Sequence, residues 1–407
     1  MSTVEFPQLI ERGCGLDVHR DTVVASIQGI DLEEETQTFS TFTADLERLI
    51  CWLQNRGITH VAMESTGVYW KPVYYVLEGY FELLVVNARH VKNVPGHKTD
   101  KADSQWIAKL LLSGLLKSSF VPAADMRFVR TLFRHRKKLI NQRSKAKNRL
   151  QNILEDANIK LSSVVSDVFS RTGLAIIEDL INGINDPVEL AKQARGSLVK
   201  KRSDLEMALR GRFNAYHRYM LQLIMNTIRE HNQHIEQIEK KLEESMQPYD
   251  HEMELLQTIP GISRLSALGI IAEIGVDMGK FISAKHLASW AGVCPGNNES
   301  AGKKLSARST QGNKYLKTTL IEASWACSHT KNTYLSFKYY SISKRRGKKK
   351  AALAVGHEIL TAVYHILRDS TPYKEPRMRA DIVDQRRKSE MERLQKRLDK
   401  LKILASN

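Results

Sequence analysis

Two aspartates, Asp100 and Asp103, stand three residues apart in KTDKADSQW (98–106), after the breaker pair Pro95-Gly96 and before an apolar, helix-like segment from Ile107 to Leu116. A spacing of three puts both carboxylates on one side of a helix. Acids at a helix start also act as N-caps or complement the helix dipole, so the pair alone is open to either reading. Two more acids sit in apolar runs upstream, Asp17 in GCGLDV and Glu64 in HVAMES. Four carboxylates gathered at close range cannot all stay ionised unless cations neutralise them, so such a set calls for Mg²⁺. Hard cations held by carboxylates can activate a nucleophile and stabilise the leaving oxygen of a phosphodiester. Asp21, Glu78 and Glu82 fit such a set less well.

The elements that must carry these acids are legible in the hydropathy pattern. Strands are expected over 13–18, 22–28 and 36–42, a helix over 44–55, and a strand ending near Glu64. A helix over 68–77, a strand over 82–87 and the helix carrying Asp103 follow. Three strands joined by short turns and then βαβ units describe a mixed sheet covered by helices. That order matches the ribonuclease H-like fold, where the first and fourth strands are neighbours and the last helix reaches the same edge. The joint placement of the four acids favours catalysis over capping.

The chain has 407 residues, 42% of them hydrophobic, enough for two or three domains with real cores. No apolar run approaches a membrane span and the N-terminus lacks the order of a secretion signal, which points to the cytoplasm. Cys14, Cys51, Cys294 and Cys327 are dispersed, so neither a disulfide framework nor a zinc site is indicated. The formal net charge of +17 implies a polyanionic partner, nucleic acid.

That charge is concentrated. From Met126 to Leu154 there is no acid, while Arg127, Arg130, Arg134, Arg136, Lys137, Lys138, Arg143, Lys145, Lys147 and Arg149 alternate with apolar residues at helical spacing. A long basic amphipathic helix without one countercharge would repel itself, which favours phosphate contact. Lys344 to Lys350 repeat the theme as a phosphate contact or a solubilising loop.

Residues 120–248 read as helical, with a coiled-coil seam at Leu221, Ile224, Ile228, His231, Ile235, Ile238 and Leu242. The seam suits packing within the chain or between protomers, with His231 setting register. A shorter seam, Met391, Leu394, Leu398 and Leu401, closes the chain. LLQTIPGISRLSALGIIAEIG (255–275) resembles a helix-hairpin-helix, with Ser263 in place of the usual second glycine; a packed Pro-Gly turn fits equally. Pro295 to Lys304 is a loop by composition. It is no P-loop, because five residues separate Gly296 from Gly302 and Lys304 follows Lys303. Its serine, Ser300, precedes Arg308, Gly312, Asn313, Lys314 and Lys317.

Taken together, GLDVHRD, AMESTGVYW, NARHVKNVPGHKTDKADSQWIAKLL, TIPGISRLSALGIIAEIG and WAGVCPGNNESAGKK resemble the DEDD-type transposases of the bacterial insertion-sequence one-ten family, more closely its eleven-eleven subgroup. The resemblance runs in order from about residue 13 to 370. It implies RNA-guided recombinases with a RuvC-like N-terminal domain and a C-terminal transposase domain bearing a serine. By motif match the tetrad is Asp17, Glu64, Asp100 and Asp103, binding Mg²⁺, and the serine is Ser300, with Ser306 and Ser309 nearby. Ala301 departs from the tighter Ser-Gly of some relatives. The implied partners are donor and target DNA and a structured noncoding guide RNA. The implied state is a homo-oligomer, dimer or tetramer, with 221–242 as a candidate seam and the acids of one protomer meeting the serine of another. No membrane partner is expected, and the location is a bacterial cytoplasm at the nucleoid. Lys303, Lys304, Arg308 and Lys314 are further candidate nucleic-acid contacts, the first three also candidates to stabilise the transition state.

The expected architecture is therefore multidomain α/β plus α. A RuvC-like domain spans 1–120, a basic helix and coiled-coil region 121–249, a mainly helical transposase domain 250–372, and a basic helical tail 373–407. Two rivals remain: a RuvC-like metal-dependent structure-specific nuclease of the Holliday-junction resolvase type without serine chemistry, and a non-enzymatic nucleic-acid-binding scaffold.

Overall fold

The computed structural model describes residues 9–65, 67–87, 100–295, 298–300, 303–306, 309, 311–376, 388, 391–395 and 397–398, with only the backbone given for 100–101, 298–300 and 303–306. Pro95-Gly96, Lys98-Thr99, Gly296-Asn297, Ala301-Gly302, Arg308 and Leu401 lie outside the described residues. The chain divides into two compact units between Val121 and Pro122; the boundaries expected near 249 and 372 fall inside the second unit.

The first unit runs β1 (Arg12–Val18), β2 (Thr22–Gly29), β3 (Leu32–Ser40), α1 (Thr43–Gln54), β4 (His60–Glu64), α2 (Trp70–Leu77), β5 (Glu82–Val86) and α3 (Asp100–Leu112). Its sheet has the order β3-β2-β1-β4-β5. The first three strands pair antiparallel, and β1-β4 and β4-β5 pair parallel. This is the expected mixed sheet. One strand differs from expectation: β3 starts at Leu32, not residue 36, and ends at Ser40. Asp31 takes a left-handed φ of 51° in the β2-β3 turn, a conformation short polar side chains tolerate. Glu33 and Glu34 are exposed on this edge strand, where charge discourages pairing with other chains. An acidic run thus hides a strand from a hydropathy reading.

Side-chain alternation splits β1 cleanly. Cys14, Leu16 and Val18 pack with Leu46, Leu49 and Leu53 of α1 and with Val73 and Leu77 of α2. Gly13, Gly15 and Asp17 take the opposite face, which α3 covers through Ile107, Leu110 and Leu111 against Ala62 and Val86.

Among its described residues the second unit is helical apart from one hairpin and the bridge at its base. It contains α4 (Ala124–Asp156), α5 (Leu161–Val164), α6 (Arg171–Ile181), α7 (Pro187–Ala191), α8 (Arg202–Leu209) and α9 (Ala215–Met246). Then come α10 (Asp250–Gln257), α11 (Arg264–Ile274), α12 (Ala284–Ala291), α13 (Lys314–His329), α14 (Tyr334–Arg346) and α15 (Lys348–Asp369). The seam of α9 is occupied within the chain: Leu221, Ile224 and Ile228 are buried in one cluster with Ala146, Leu150 and Leu154 of α4. Ile235 and Leu242 are buried as well. Fully burying such a side chain contributes about 1.5–3 kcal/mol, so this pairing is strong without a second protomer. The Pro260-Gly261 turn packs on the same unit, where a Cβ at Gly261 would meet the Cys327 nitrogen at 2.5 Å. Ser263 caps α11, its side chain accepting from Ser266 N.

Between Pro295 and Ser309, where composition reads as a loop, the chain forms an antiparallel hairpin, β6 (Asn298–Ser300) with β7 (Lys303–Ser306). Ser300 ends β6 and pairs with Lys303. Strands this short leave no periodicity to read in a polar sequence.

Candidate active site and nucleic-acid interface

Gly15 is the residue that sets the first site. A Cβ there would meet Ser104 O at 2.1 Å and Ala108 N at 2.4 Å, so the backbone of α3 rests directly on β1. At Gly13 the nearest atom is Leu111 Cδ2, at 2.9 Å. The helix therefore runs antiparallel to the strand, and its N-terminal turns lie toward Asp17. A buried hydrogen bond between Ser104 Oγ and Ser26 Oγ of β2, 2.8 Å, holds the second turn of α3 in place, and Ser26 also bonds Thr36 Oγ1 at 2.8 Å.

Glu64 arrives from the other side. The β1-β4 register ends at Leu16↔Met63, and one step further sit Asp17 and Glu64. Ala62 faces α3, and Glu64, two residues on, shares that face. Asp17, Glu64 and the start of α3 at Asp100–Asp103 thus lie toward the same end of the sheet. Neighbouring strands lie about 4.8 Å apart, so Asp17 and Glu64 stand on adjacent strands at matching positions. Asp17 Oδ2 also lies 3.1 Å from His19 Nε2. Asp103 is exposed, Asp17 and Glu64 are partly so, and the Asp100 side chain is outside the described residues. The donors are all carboxylate oxygens from three elements, the chemistry a hard divalent cation takes. Among the described residues, no group of three or more His, Cys, Asp or Glu is close enough to hold a metal ion.

Ser300 and Lys303 are described as hairpin backbone only, as are Lys304 and Ser306. Ser309 accepts a hydrogen bond from Lys317 Nζ at 2.6 Å. Exposed Lys314 lies 5.2 Å from the Tyr315 ring centre. Burial raises the thiol pKa of Cys14 and Cys294 and pushes that of Cys327 up to about 12, so the three are poor nucleophiles.

The basic helix α4 divides its cations. The countercharge missing from its own sequence comes from other helices. Arg134 forms a bidentate pair with Glu273 of α11, both bonds 2.7 Å, and Arg130 Nε lies 3.4 Å from the same carboxylate. Arg136 pairs with Glu239 at 2.7 Å, and Arg143 donates to Asn232 Oδ1 at 2.8 Å. Lys137 donates to Thr319 Oγ1 at 2.9 Å, and burial lowers its ammonium pKa against the opposing pull of Glu322. Lys147 lies 4.4 Å from the Phe169 ring centre, and Arg127 is half-buried. Lys138, Lys145 and Arg149 remain exposed at spacings of seven and four, one stripe along the helix.

Glu273 itself escaped the sequence reading. The available signal was a lone acid inside the apolar run GIIAEI, since a buried charge demands partners.

A sheet edge with acids on β1, β4 and a covering helix, joined to a strongly basic helical unit, defines a DNA transposase or recombinase once the comparisons are added. Residues 14–159 match the DEDD-type IS110 transposase model and residues 253–341 match that of the transposase IS116/IS110/IS902 family. The transposase for insertion sequence element IS1111A of Coxiella burnetii is 22% identical over 295 residues, 71% of this chain and 72% of that protein. A probable family 20 transposase of Pseudomonas aeruginosa is 22% identical over 322 residues, 77% of this chain and 85% of its own length. The pilin gene-inverting protein of Moraxella bovis is 33% identical over 129 residues, 30% of this chain and 39% of that protein. The chain belongs to the IS110/IS1111-type transposases. No helix among the described residues is long and apolar enough to cross a membrane.

Proposed function

We propose that this transposase is an RNA-guided recombinase that cuts and rejoins DNA through a serine-linked intermediate, with a RuvC-like (ribonuclease H-like) unit at its N-terminus. The observation that supports the reading most is the placement of Asp17, Glu64 and the start of α3 toward the same end of the sheet. Asp17, Glu64, Asp100 and Asp103 would hold Mg²⁺. When bound, the ion supplies charge neutralisation for the acids and polarises the scissile phosphate.

The serine hydroxyl is a weak nucleophile until its proton leaves. In the proposed step Ser300 Oγ attacks phosphorus and its proton passes to a carboxylate of the tetrad. One P–O ester bond forms as another breaks, and the carboxylate passes the same proton on to the departing strand end, which leaves as a hydroxyl. The count of ester bonds is unchanged, so a second strand's hydroxyl can reverse the step and rejoin DNA. Because acids and serine lie in different units, the site can be assembled between protomers of a homo-oligomer.

The test is a denaturing-gel assay with Mg²⁺, DNA spanning the element's junction and target, and RNA transcribed from its flank. Wild type is expected to form a covalent protein–DNA adduct, and Ser300→Ala and Asp103→Ala to form none. Cleavage without an adduct, unaffected by Ser300→Ala and lost in Asp103→Ala, would replace the serine mechanism with the RuvC-like nuclease.

The exposed stripe on α4 supports phosphate contact by Lys138, Lys145 and Arg149. Alanine at each is expected to weaken DNA or RNA binding without regard to sequence and to reduce the salt slope of binding by about one per contact. An unchanged slope in all three would remove the stripe from the interface.

A further inference from the structure

Glu273 is fully buried, and three side chains, Arg130 and Arg134 of α4 and Asn313 at the N-cap of α13, converge on it. Arg134 holds both of its oxygens at 2.7 Å, and Arg130 adds a third cationic contact at 3.4 Å. Asn313 Nδ2 donates to Oε2 at 2.5 Å. The amide of Asn313 is fixed at its other end too, because its Oδ1 caps α13 by accepting from Tyr315 N at 3.0 Å and Leu316 N at 3.1 Å. The Arg134 guanidinium covers the Tyr315 ring at 4.7 Å, and Arg130 Nε donates to Ala272 O at 3.2 Å. One carboxylate therefore ties the last turn of α11, the first half of α4 and the first turn of α13.

Asn313 is also where the serine hairpin rejoins the helical unit. A Cβ on Gly312 would meet Gly292 N at 2.4 Å and Ala291 C at 2.5 Å, so the returning strand is pressed against the chain that leaves α12. A bridge between Pro295 and Ser309 closes the same base. Glu273, through Asn313, is the buried polar anchor of this base, and the hydrogen bond from Lys317 to Ser309 is a second polar tie.

We infer that Glu273 is a positioning residue for Ser300, acting through Asn313, and that Arg130 and Arg134 brace this anchor instead of binding nucleic acid. The inference rests on the serine reading above. A buried carboxylate with this many donors has one low-energy geometry, which is what a nucleophile that must arrive within a fraction of an ångström needs from its support. The division of α4 follows: its first half orients the hairpin, and its exposed stripe binds phosphate.

The experiment uses the full chain with Mg²⁺, guide RNA and DNA at saturating concentration, and follows the single-turnover rate constant of adduct formation. Glu273→Gln keeps the shape and removes the charge. Asn313→Ser keeps a good N-cap for α13 but cannot reach Glu273, so it decides the matter if Glu273→Gln fails to fold. In both variants the rate constant is expected to fall about 10- to 100-fold, with nucleic-acid affinity and its salt slope within about twofold of wild type. Lys145→Ala is expected to do the reverse. A merely structural role would lower Tm and the active fraction while leaving the rate constant of that fraction unchanged, and that result overturns the inference. So does a loss of affinity or salt slope in Arg134→Met. If wild type forms an adduct that Ser300→Ala abolishes while Glu273→Gln and Asn313→Ser match wild type, this inference alone falls. If wild type forms no adduct, both readings fall.

Discussion

Asp17→Asn is expected to reduce DNA strand cleavage by about a thousandfold or more while leaving nucleic-acid binding near wild type. The substitution keeps the shape of the side chain on β1 and removes one negative charge from the end of the sheet that also carries Glu64 and the start of α3. The lost chemistry is the capacity to hold a hard cation and to accept a proton, neither of which an amide supplies. Stability is expected to hold or rise slightly, because mutual repulsion among the carboxylates decreases. Asp21 provides the control. It is exposed beside Arg20, so Asp21→Asn is expected to cleave like wild type. Cleavage of labelled DNA on a denaturing gel, with binding measured in parallel, checks both. Comparable cleavage by wild type and Asp17→Asn would remove the sheet edge from the chemistry.

Gly15→Ala is the second large effect, and it acts without touching an acid. The added methyl would lie 2.1 Å from Ser104 O and 2.4 Å from Ala108 N, and both obstacles are backbone. No rotamer change relieves that, so α3 must lift from β1. Overpacking of this kind costs about 1–3 kcal/mol, and the buried Ser26–Ser104 hydrogen bond, worth about another 1 kcal/mol, goes with it. Because α3 carries Asp100 and Asp103, displacement by an ångström is expected to lower cleavage about a hundredfold even in molecules that remain folded. Gly13→Ala is the matched comparison, since its nearest obstacle is the end of the Leu111 side chain, which can rotate. Urea unfolding and the cleavage rate read the two terms separately. Equal stability of Gly15→Ala and wild type would mean that the helix does not rest on the strand as described.

Local pattern made most of the first unit legible. The alternation in β1 and β2, the helix of α1 and the placement of Asp17 and Glu64 at strand ends follow from side-chain period and turn chemistry, which act over a few residues. The exception, β3, shows the limit: Glu33 and Glu34 are acceptable on an edge strand for reasons that hydropathy does not register. The hairpin bearing Ser300 escaped the same way, as strands of three and four residues with a single apolar side chain between them carry no period.

The long helix α4 shows most clearly what sequence alone determined. Its length, its amphipathicity and its lack of acids between Met126 and Leu154 are properties of the chain itself. Which cations face solvent was settled only by tertiary structure, because Glu239 and Glu273 come to it from more than a hundred residues away in sequence and neutralise Arg136, Arg130 and Arg134. The seam of α9 is a parallel case. Its apolar spacing announces a partner helix, and folding supplies α4 of the same chain. Periodicity states that a face must be covered and composition states that charge must be balanced. The identity of the covering or balancing group is a long-range choice, made where burial excludes water and leaves each charge or apolar stripe one complement within reach.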